Sequence, residues 1–217
     1  MFNRILQEFR HNENPAQAVP MAKYMKNRFP FLGLTRPERN IIQAGFLKAA
    51  KQEKGINWEF VCQCWDLPER EYQYLAVDYL MTRVRLLKNE DMVRLEELIT
   101  QKSWWDTVDI IAVKLVGELC TQCPELIDDY ILNWAASDNI WLARTAILFQ
   151  LKYKQNTDTK LLTRIILLNN KSPEFFINKA IGWILREYSK SNQEWVKSFI
   201  TNNHLHPLSV REGSKRL

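Results

Sequence analysis

Apolar residues recur at the spacing of an α-helix along almost the whole chain, and no stretch shows the alternation of a half-buried strand. Spacings of three and four residues gather apolar side chains on one face of a helix. Three groups show the pattern best: Leu75, Val77, Leu80 and Met81; Ile110, Ile111, Val113, Leu115 and Val116; and Ile177, Ile181, Ile184 and Leu185. The sequence therefore predicts an all-α fold.

Residues that begin or end helices separate the apolar runs, at Asn14-Pro15, Phe29-Pro30, Gly55, Leu67-Pro68, Cys123-Pro124, Ser137-Asp138-Asn139, Lys171-Ser172-Pro173 and Pro207. Pro and Gly interrupt helices, and small polar residues begin them by accepting hydrogen bonds from the first free amides. The breaks predict roughly ten to twelve short helices. We expect Asp66, before Pro68, and Ser172, before Pro173, to be the clearest N-cap residues.

An alanine recurs in the helical stretches at Ala76, Ala112, Ala146 and Ala180, in steps of 36, 34 and 34 residues. This period is typical of α-solenoids, in which antiparallel helix pairs stack on their neighbours and leave one curved surface for a partner. Four helices that each happen to contain an alanine would give the same spacing. Because the chain has no linker or low-complexity tract, we expect residues 1–217 to form a single domain.

Positive charge is concentrated in the last third of the chain. Residues 151–217 carry 12 Lys and Arg against 5 Asp and Glu, whereas residues 1–150 carry 18 against 20. Clustered cations favour a polyanionic partner such as nucleic acid, because binding releases the counterions of the phosphates. A solvated basic face would have the same composition, so charge alone leaves both interpretations open.

The composition excludes several classes of protein. Hydrophobic residues make up 46% of the 217 residues, and only 6 Gly and 8 Pro are present, which is unlike disordered or fibrous chains. No apolar run approaches the roughly 18 residues of a membrane span, and the first residues carry mixed charges, unlike a signal peptide. We expect a cytoplasmic protein with no membrane partner, acting as a monomer.

Two cysteine pairs, Cys62 with Cys64 and Cys120 with Cys123, could form a split four-thiolate zinc site. On a helix, however, Cys62 and Cys64 would point about 200° apart. The three histidines lie at the two ends of the chain, so they supply no further ligand cluster. Idle or buried thiols are the favoured interpretation, and we expect no metal and no cofactor.

Two indoles, a carboxylate and a guanidinium fall near the aligned alanines. Trp105 and Asp109 are four residues apart and hence neighbours on one helix surface. At about 100° per residue, both fall within one sector of roughly 120° with Trp183. A core indole beside a solvated or capping carboxylate would show the same spacing. Arg144 lies in the apolar run 140–149, so it either pairs with an acid internally or protrudes to bind an anion such as a phosphate.

The sequence resembles the AlkD-type family of DNA alkylation-repair glycosylases in five segments, residues 20–27 (PMAKYMKN), 65–71 (WDLPERE), 102–109 (KSWWDTVD), 137–142 (SDNIWL) and 179–188 (KAIGWILREY). Together these segments run across nearly the whole chain. The resemblance implies a curved, HEAT-like α-solenoid with a concave basic surface that holds double-stranded DNA containing alkylated purines.

The resemblance also implies functions for individual residues. It assigns Trp105, Asp109, Arg144 and Trp183 to the catalytic site, and Tyr24 to DNA contact. The basic last third supplies the other predicted DNA-binding residues, Lys152, Lys179, Arg186 and Arg211.

The implied reaction is hydrolysis of the N-glycosidic bond of N3- or N7-alkylated purines, as in base excision repair by a monofunctional glycosylase. Such a purine is already cationic and leaves without a general acid, so a single carboxylate, Asp109, can stabilise the oxocarbenium-like sugar and guide water to it. Trp105 and Trp183 would flank the cationic nucleotide, and Arg144 would hold a neighbouring phosphate. The resemblance implies that the base is not flipped into a deep pocket.

Two other functions fit the same residues. A non-catalytic HEAT-like protein could bind damaged or branched DNA, and it would bind without excising a base. A protein-binding solenoid scaffold is the other alternative, which the basic last third and the presence of Asp109 and Arg144 disfavour.

Overall fold

The protein is helical throughout, and the expected all-α class is confirmed. A computed structural model describes all 217 residues, which form fourteen α-helices, short 3-10 and π-helical turns, and no strand. The chain divides into two compact units, Met1–Leu87 and Lys88–Leu217. That residues 1–217 act as a single domain stays a prediction.

The first unit contains five helices, α1 (Phe2–His11), α2 (Pro15–Tyr24), α3 (Arg36–Ala50), α4 (Trp58–Asp66) and α5 (Arg70–Arg83). Aromatic rings of Phe2, Phe46, Phe60 and Tyr79 pack together in its core, with centroids 4.7 to 6.1 Å apart. Rings of this kind bury large apolar areas and prefer tilted and edge-on contacts. They hold α1, α3, α4 and α5 together.

The second unit contains nine helices, α6 (Met92–Thr100), α7 (Trp105–Ile110), α8 (Gly117–Gln122), α9 (Leu132–Ala135), α10 (Ile140–Leu148), α11 (Thr159–Asn169), α12 (Phe175–Tyr188), α13 (Gln193–Asn202) and α14 (Pro207–Gly213). Helix α12 packs against both α10 and α14, and α10 also packs against α6 and α7. These contacts bring α7, α10, α12 and α14 around one region.

Helices α7 and α8 are parts of one continuous helix. Residues 111–116 between them are wound as a π-helix, with wider turns than the α-helical parts on either side. Such wide turns are rare in proteins, and many of those known lie at functional sites.

Asparagine and aspartate side chains begin several helices by accepting backbone amide hydrogen bonds. This group consists of Asn14, Asn57, Asn139, Asp158 and Asn192. Asn14 and Asn139 stand in two of the predicted breaks, and helices do begin at both.

The two N-caps predicted as the clearest are wrong. Asp66 is the last residue of α4, because α5 begins only at Arg70, after the Pro68 turn. Ser172 lies two residues before the N-cap Glu174, whose amide donates to the Ser172 hydroxyl at 3.2 Å. In both cases the proline stands before the cap residue rather than in the first helical turn.

The four aligned alanines are all buried. Ala76, Ala112, Ala146 and Ala180 each lie in a helical segment, and each is at most 1% exposed. A small side chain at a buried position lets a neighbouring helix approach closely. Because alanines outside this period, such as Ala50 and Ala143, are buried as well, the repeat stays a prediction.

Gly182 allows α14 to pack closely on α12. A Cβ at this position would lie 2.4 Å from the Cβ of Glu212 and 3.0 Å from the carbonyl oxygen of Ser209. Two backbones cannot stay this close if a methyl group is added between them.

Gly182→Ala is therefore expected to lower the free energy of unfolding by about 1 to 3 kcal/mol. Urea unfolding followed by circular dichroism measures the change. Gly45→Ala is the matched control, because nothing lies within 4 Å of a Cβ there and Gly45 is inside a helix. The control should gain up to about 1 kcal/mol, and a Gly182→Ala protein as stable as the wild type would contradict the close approach.

No helix in the protein combines the length and the apolar character needed to cross a membrane.

Candidate active site

A cleft in the second unit gathers most of the predicted site residues. Its volume is about 340 Å³, and its lining consists of Trp105, Asp109, Arg144, Phe175, Phe176, Lys179, Trp183, Arg186 and Glu212. Helices α7, α10, α12 and α14 supply these side chains. Residues separated by more than one hundred positions in the chain therefore share one surface.

Asp109 and Arg144 form a two-pronged ion pair in this cleft. The Arg144 Nε donates to Oδ1 of Asp109 at 2.7 Å, and its Nη2 donates to Oδ2 at 2.8 Å. A further donor, Nη1, hydrogen-bonds the carbonyl oxygen of Phe176. The Arg144 side chain is 6% exposed and that of Asp109 is 14% exposed. Planar guanidinium and carboxylate groups match well in this geometry, which fixes both side chains.

Of the two predicted alternatives for Arg144, the structure shows the first, in which the arginine pairs with an acid inside the protein. A phosphate contact by the same guanidinium stays a prediction. In the free protein its donors hold Asp109 and the start of α12.

Burial and the ion pair act on the charge of Asp109 in opposite directions. Burial raises the pKa of the Asp109 carboxyl above the usual value, while the hydrogen bonds and charge of Arg144 oppose that rise. A carboxylate placed here alone would tend to bind a proton, because burial disfavours the charged form. Arg144 is therefore the group that favours the charged form of Asp109.

Three aromatic rings pack together beside the ion pair of Asp109 and Arg144. Trp104, Trp141 and Phe176 pack against one another with centroids 5.0 to 5.6 Å apart. The Arg144 guanidinium carbon lies 5.8 Å from the centre of the Phe176 ring. Tightly packed rings leave the guanidinium little freedom to move.

Trp105 and Trp183 line the same cleft as Asp109, one from α7 and the other from α12. Both indoles are partly exposed. The structure brings these residues together with Arg144 in one cleft, as expected. Their catalytic functions stay predictions.

The predicted DNA-binding residues lie in four different places. Lys179 and Arg186 line the cleft. Arg211 is exposed on α14, with its Nε 4.0 Å from Oε1 of the cleft residue Glu212. Lys152 does not line the cleft and pairs with Glu187 at 2.8 Å. Tyr24, at the end of α2 in the first unit, is 70% exposed.

Sequence reasoning missed Glu212, Phe175 and Phe176. Adjacent phenylalanines at the start of an apolar helix are usually core residues, yet Phe175 is 58% exposed at the cleft. Glu212 does not belong to a run of regularly spaced apolar residues, so the sequence does not indicate which way its side chain points. Only the packing of α14 against α12 brings it to the cleft.

The cysteines are free thiols, and Cys62 is exposed while Cys64 is buried on the same helix. Burial raises the pKa of Cys120 to about 12, which disfavours the reactive thiolate. No group of three or more His, Cys, Asp or Glu side chains is arranged to hold a metal ion.

Comparisons with known proteins agree on one family. A family model described as DNA alkylation repair enzyme matches residues 5–217. A solved structure described as a predicted DNA alkylation repair enzyme from Enterococcus faecalis superposes with a TM-score of 0.85 at 36% sequence identity. The match covers 94% of this chain and 96% of the other. No curated protein sequence matches significantly.

Proposed function

The chain belongs to the DNA alkylation repair enzyme family, and we propose that it is a glycosylase that hydrolyses the N-glycosidic bond of cationic N3- or N7-alkylated purines in duplex DNA. The observation that carries the proposal is the pairing of the Asp109 carboxylate with Arg144 in a cleft that also contains two indoles and two further cations.

Asp109 is suited to a reaction in which positive charge moves onto the sugar. When an alkylated purine leaves, the deoxyribose becomes oxocarbenium-like, and a fixed carboxylate stabilises that charge better than mobile water does. The same carboxylate can orient the water that attacks the C1′ carbon. Because Arg144 already fixes both carboxylate oxygens, little reorganisation is needed when the bond breaks.

Trp105 and Trp183 supply aromatic faces for the cationic nucleotide. An indole attracts a nearby cation by up to about 2 kcal/mol when water is excluded. Neutral oxidised bases and uracil lack this positive charge and are poor leaving groups, so we do not expect them to be released. The cationic purine needs no proton from a general acid, and the proposed reaction therefore uses neither a metal nor a cofactor.

Lys179 and Arg186 place positive charge at the same cleft, where DNA phosphates can be bound. Phe175 and both cations are solvent-accessible, so a nucleotide can approach from outside. This accessibility supports excision from an open surface rather than from a deep base-binding pocket.

The proposed function is tested by incubating the purified protein with duplex DNA methylated at purines and measuring free methylpurines and abasic sites. We expect time-dependent release of N3-methyladenine or N7-methylguanine, and none from unmodified or uracil-containing duplex of the same sequence. Binding of the methylated duplex without release would support the non-catalytic alternative and overturn the glycosylase assignment.

A further inference from the structure

Glu212 is surrounded by cations at the cleft. Its carboxylate lies 3.2 Å from Nζ of Lys179, 3.0 Å from Nη1 of Arg186 and 2.8 Å from Nζ of Lys215. The Glu212 side chain is only 7% exposed, whereas those of Lys179 and Arg186 are 38% and 31% exposed. Glu212 is therefore buried, whereas Lys179 and Arg186 are partly exposed to solvent.

The packing of α14 on α12 fixes the position of this carboxylate. The close approach at Gly182 sets Glu212 directly against α12. The Ser209 hydroxyl, one turn earlier on α14, donates to the carbonyl oxygen of Asn178 at 3.0 Å, and it lies 3.1 Å from the side-chain oxygen of Asn178. These contacts hold the backbone beneath Glu212 in one place.

Lys179, Trp183 and Arg186 follow one another at spacings of four and three residues, so they share one face of α12. Without a common carboxylate, two neighbouring cations repel each other, and their long side chains spread into water. The Glu212 carboxylate binds both, Lys179 through Oε1 and Arg186 through Oε2. Both cations are thereby held beside Trp183.

We propose that Glu212 is a positioning residue that holds Lys179 and Arg186 as a preassembled pair, which binds DNA phosphates next to the nucleotide at Trp183 and Asp109. The identity of that nucleotide rests on the proposed glycosylase function. Nothing in the sequence had assigned a part to Glu212.

This function separates reaction rate from general DNA affinity. Glu212 is negative, and the pKa of its carboxyl is lowered to about 2, mainly by the hydrogen bond from Lys215, so it stays charged at neutral pH. A negative charge at this surface weakens general attraction to DNA. If Glu212 acts by positioning, its removal should slow the reaction without weakening the attachment to DNA.

The experiment compares Glu212→Gln with Glu187→Gln. Glu187 lies on α12, the helix of Lys179 and Arg186, and pairs with two lysines, Lys152 and Lys190, but it does not line the cleft. Both variants remove one negative charge, so both should bind unmodified duplex as tightly as the wild type or more tightly. Single-turnover release from methylated duplex should fall about tenfold or more in Glu212→Gln, because misplaced binding groups lose orientation. In Glu187→Gln it should stay within about twofold of the wild type.

A double-mutant cycle covers the possibility that Glu212→Gln lowers stability. In a background that carries both Lys179→Gln and Arg186→Gln, Glu212→Gln should add little further loss, because both partners that it positions are gone. Full additivity, or equal release rates for Glu212→Gln and Glu187→Gln, would overturn the proposal.

Loss of thermal stability together with equal losses of rate and affinity would also overturn it, since a merely structural residue behaves in that way.

Absence of release by the wild type, in contrast, contradicts the proposed function itself. In that case the comparison uses affinity for a duplex containing a tetrahydrofuran abasic-site analogue. There the proposal requires Glu212→Gln to lose preference over unmodified duplex, and an unchanged preference rejects it.

Discussion

Asp109→Asn is expected to lower the rate of methylpurine release by about a hundredfold to a thousandfold, the range found when one preorganised electrostatic group is removed from an active site. Asparagine has nearly the same shape as aspartate but no charge to stabilise the oxocarbenium-like sugar. Lys179 and Arg186 remain, so affinity for duplex DNA should persist. Single-turnover release and a binding titration on the same methylated duplex measure the two effects.

Asp128→Asn is the matched control for this substitution. Asp128 is exposed in the same unit and away from the cleft, and its replacement changes the net charge equally. The control should release methylpurines at the wild-type rate. Circular dichroism must show that Asp109→Asn is folded at the assay temperature. A folded Asp109→Asn protein that retains the wild-type rate would refute the catalytic assignment.

Arg144→Met should have the largest effect on stability, together with a severe loss of activity. Removing one partner of a buried ion pair typically costs about 3 to 5 kcal/mol, because the other charge is left without compensation. The pKa of Asp109, already raised by burial, should rise further, because the groups that lower it belong to Arg144. Asp109 would then bind a proton at a higher pH than in the wild type, and the charged form would be lost there.

Two measurements test this prediction. Urea unfolding should show the lower stability, with Arg164→Met, at an exposed position of α11, as the control. Residual release by Arg144→Met should increase with pH over a range in which the wild-type rate is already constant, because the carboxylate forms only at higher pH. Wild-type stability together with an unchanged pH profile would show that the ion pair has no such function.

The helices could be predicted from the sequence because each depends on local spacing. The apolar periods and the breaks at Asn14-Pro15 and Ser137-Asp138-Asn139 agree with the structure. The helix starts near Pro68 and Pro173 could not be located to the residue. A proline is accepted both before a cap and in the first turn, and the spacing does not distinguish these positions.

The site could be predicted only in part, for a physical reason. Trp105 and Asp109 share one helix face, so their proximity follows from their spacing. The ion pair between Asp109 and Arg144 and the cations around Glu212 depend on distances between helices, which the apolar pattern of one helix does not contain. The resemblance placed Asp109 and Arg144 in one site, but it did not indicate that they pair with each other, and nothing in the sequence indicated that Glu212 lies beside Lys179.

Residues 111–116 connect α7 and α8 in one continuous helix, so the number of residues in this π-helical segment sets the orientation of α7 relative to the helices that follow. Each residue added to or taken from a helix turns everything before it by about 100° relative to everything after it. A single insertion or deletion here would rotate Asp109 away from Arg144, even if the apolar character of the segment were unchanged. A substitution at the exposed Lys114, in contrast, would leave the number of residues and hence this orientation unchanged.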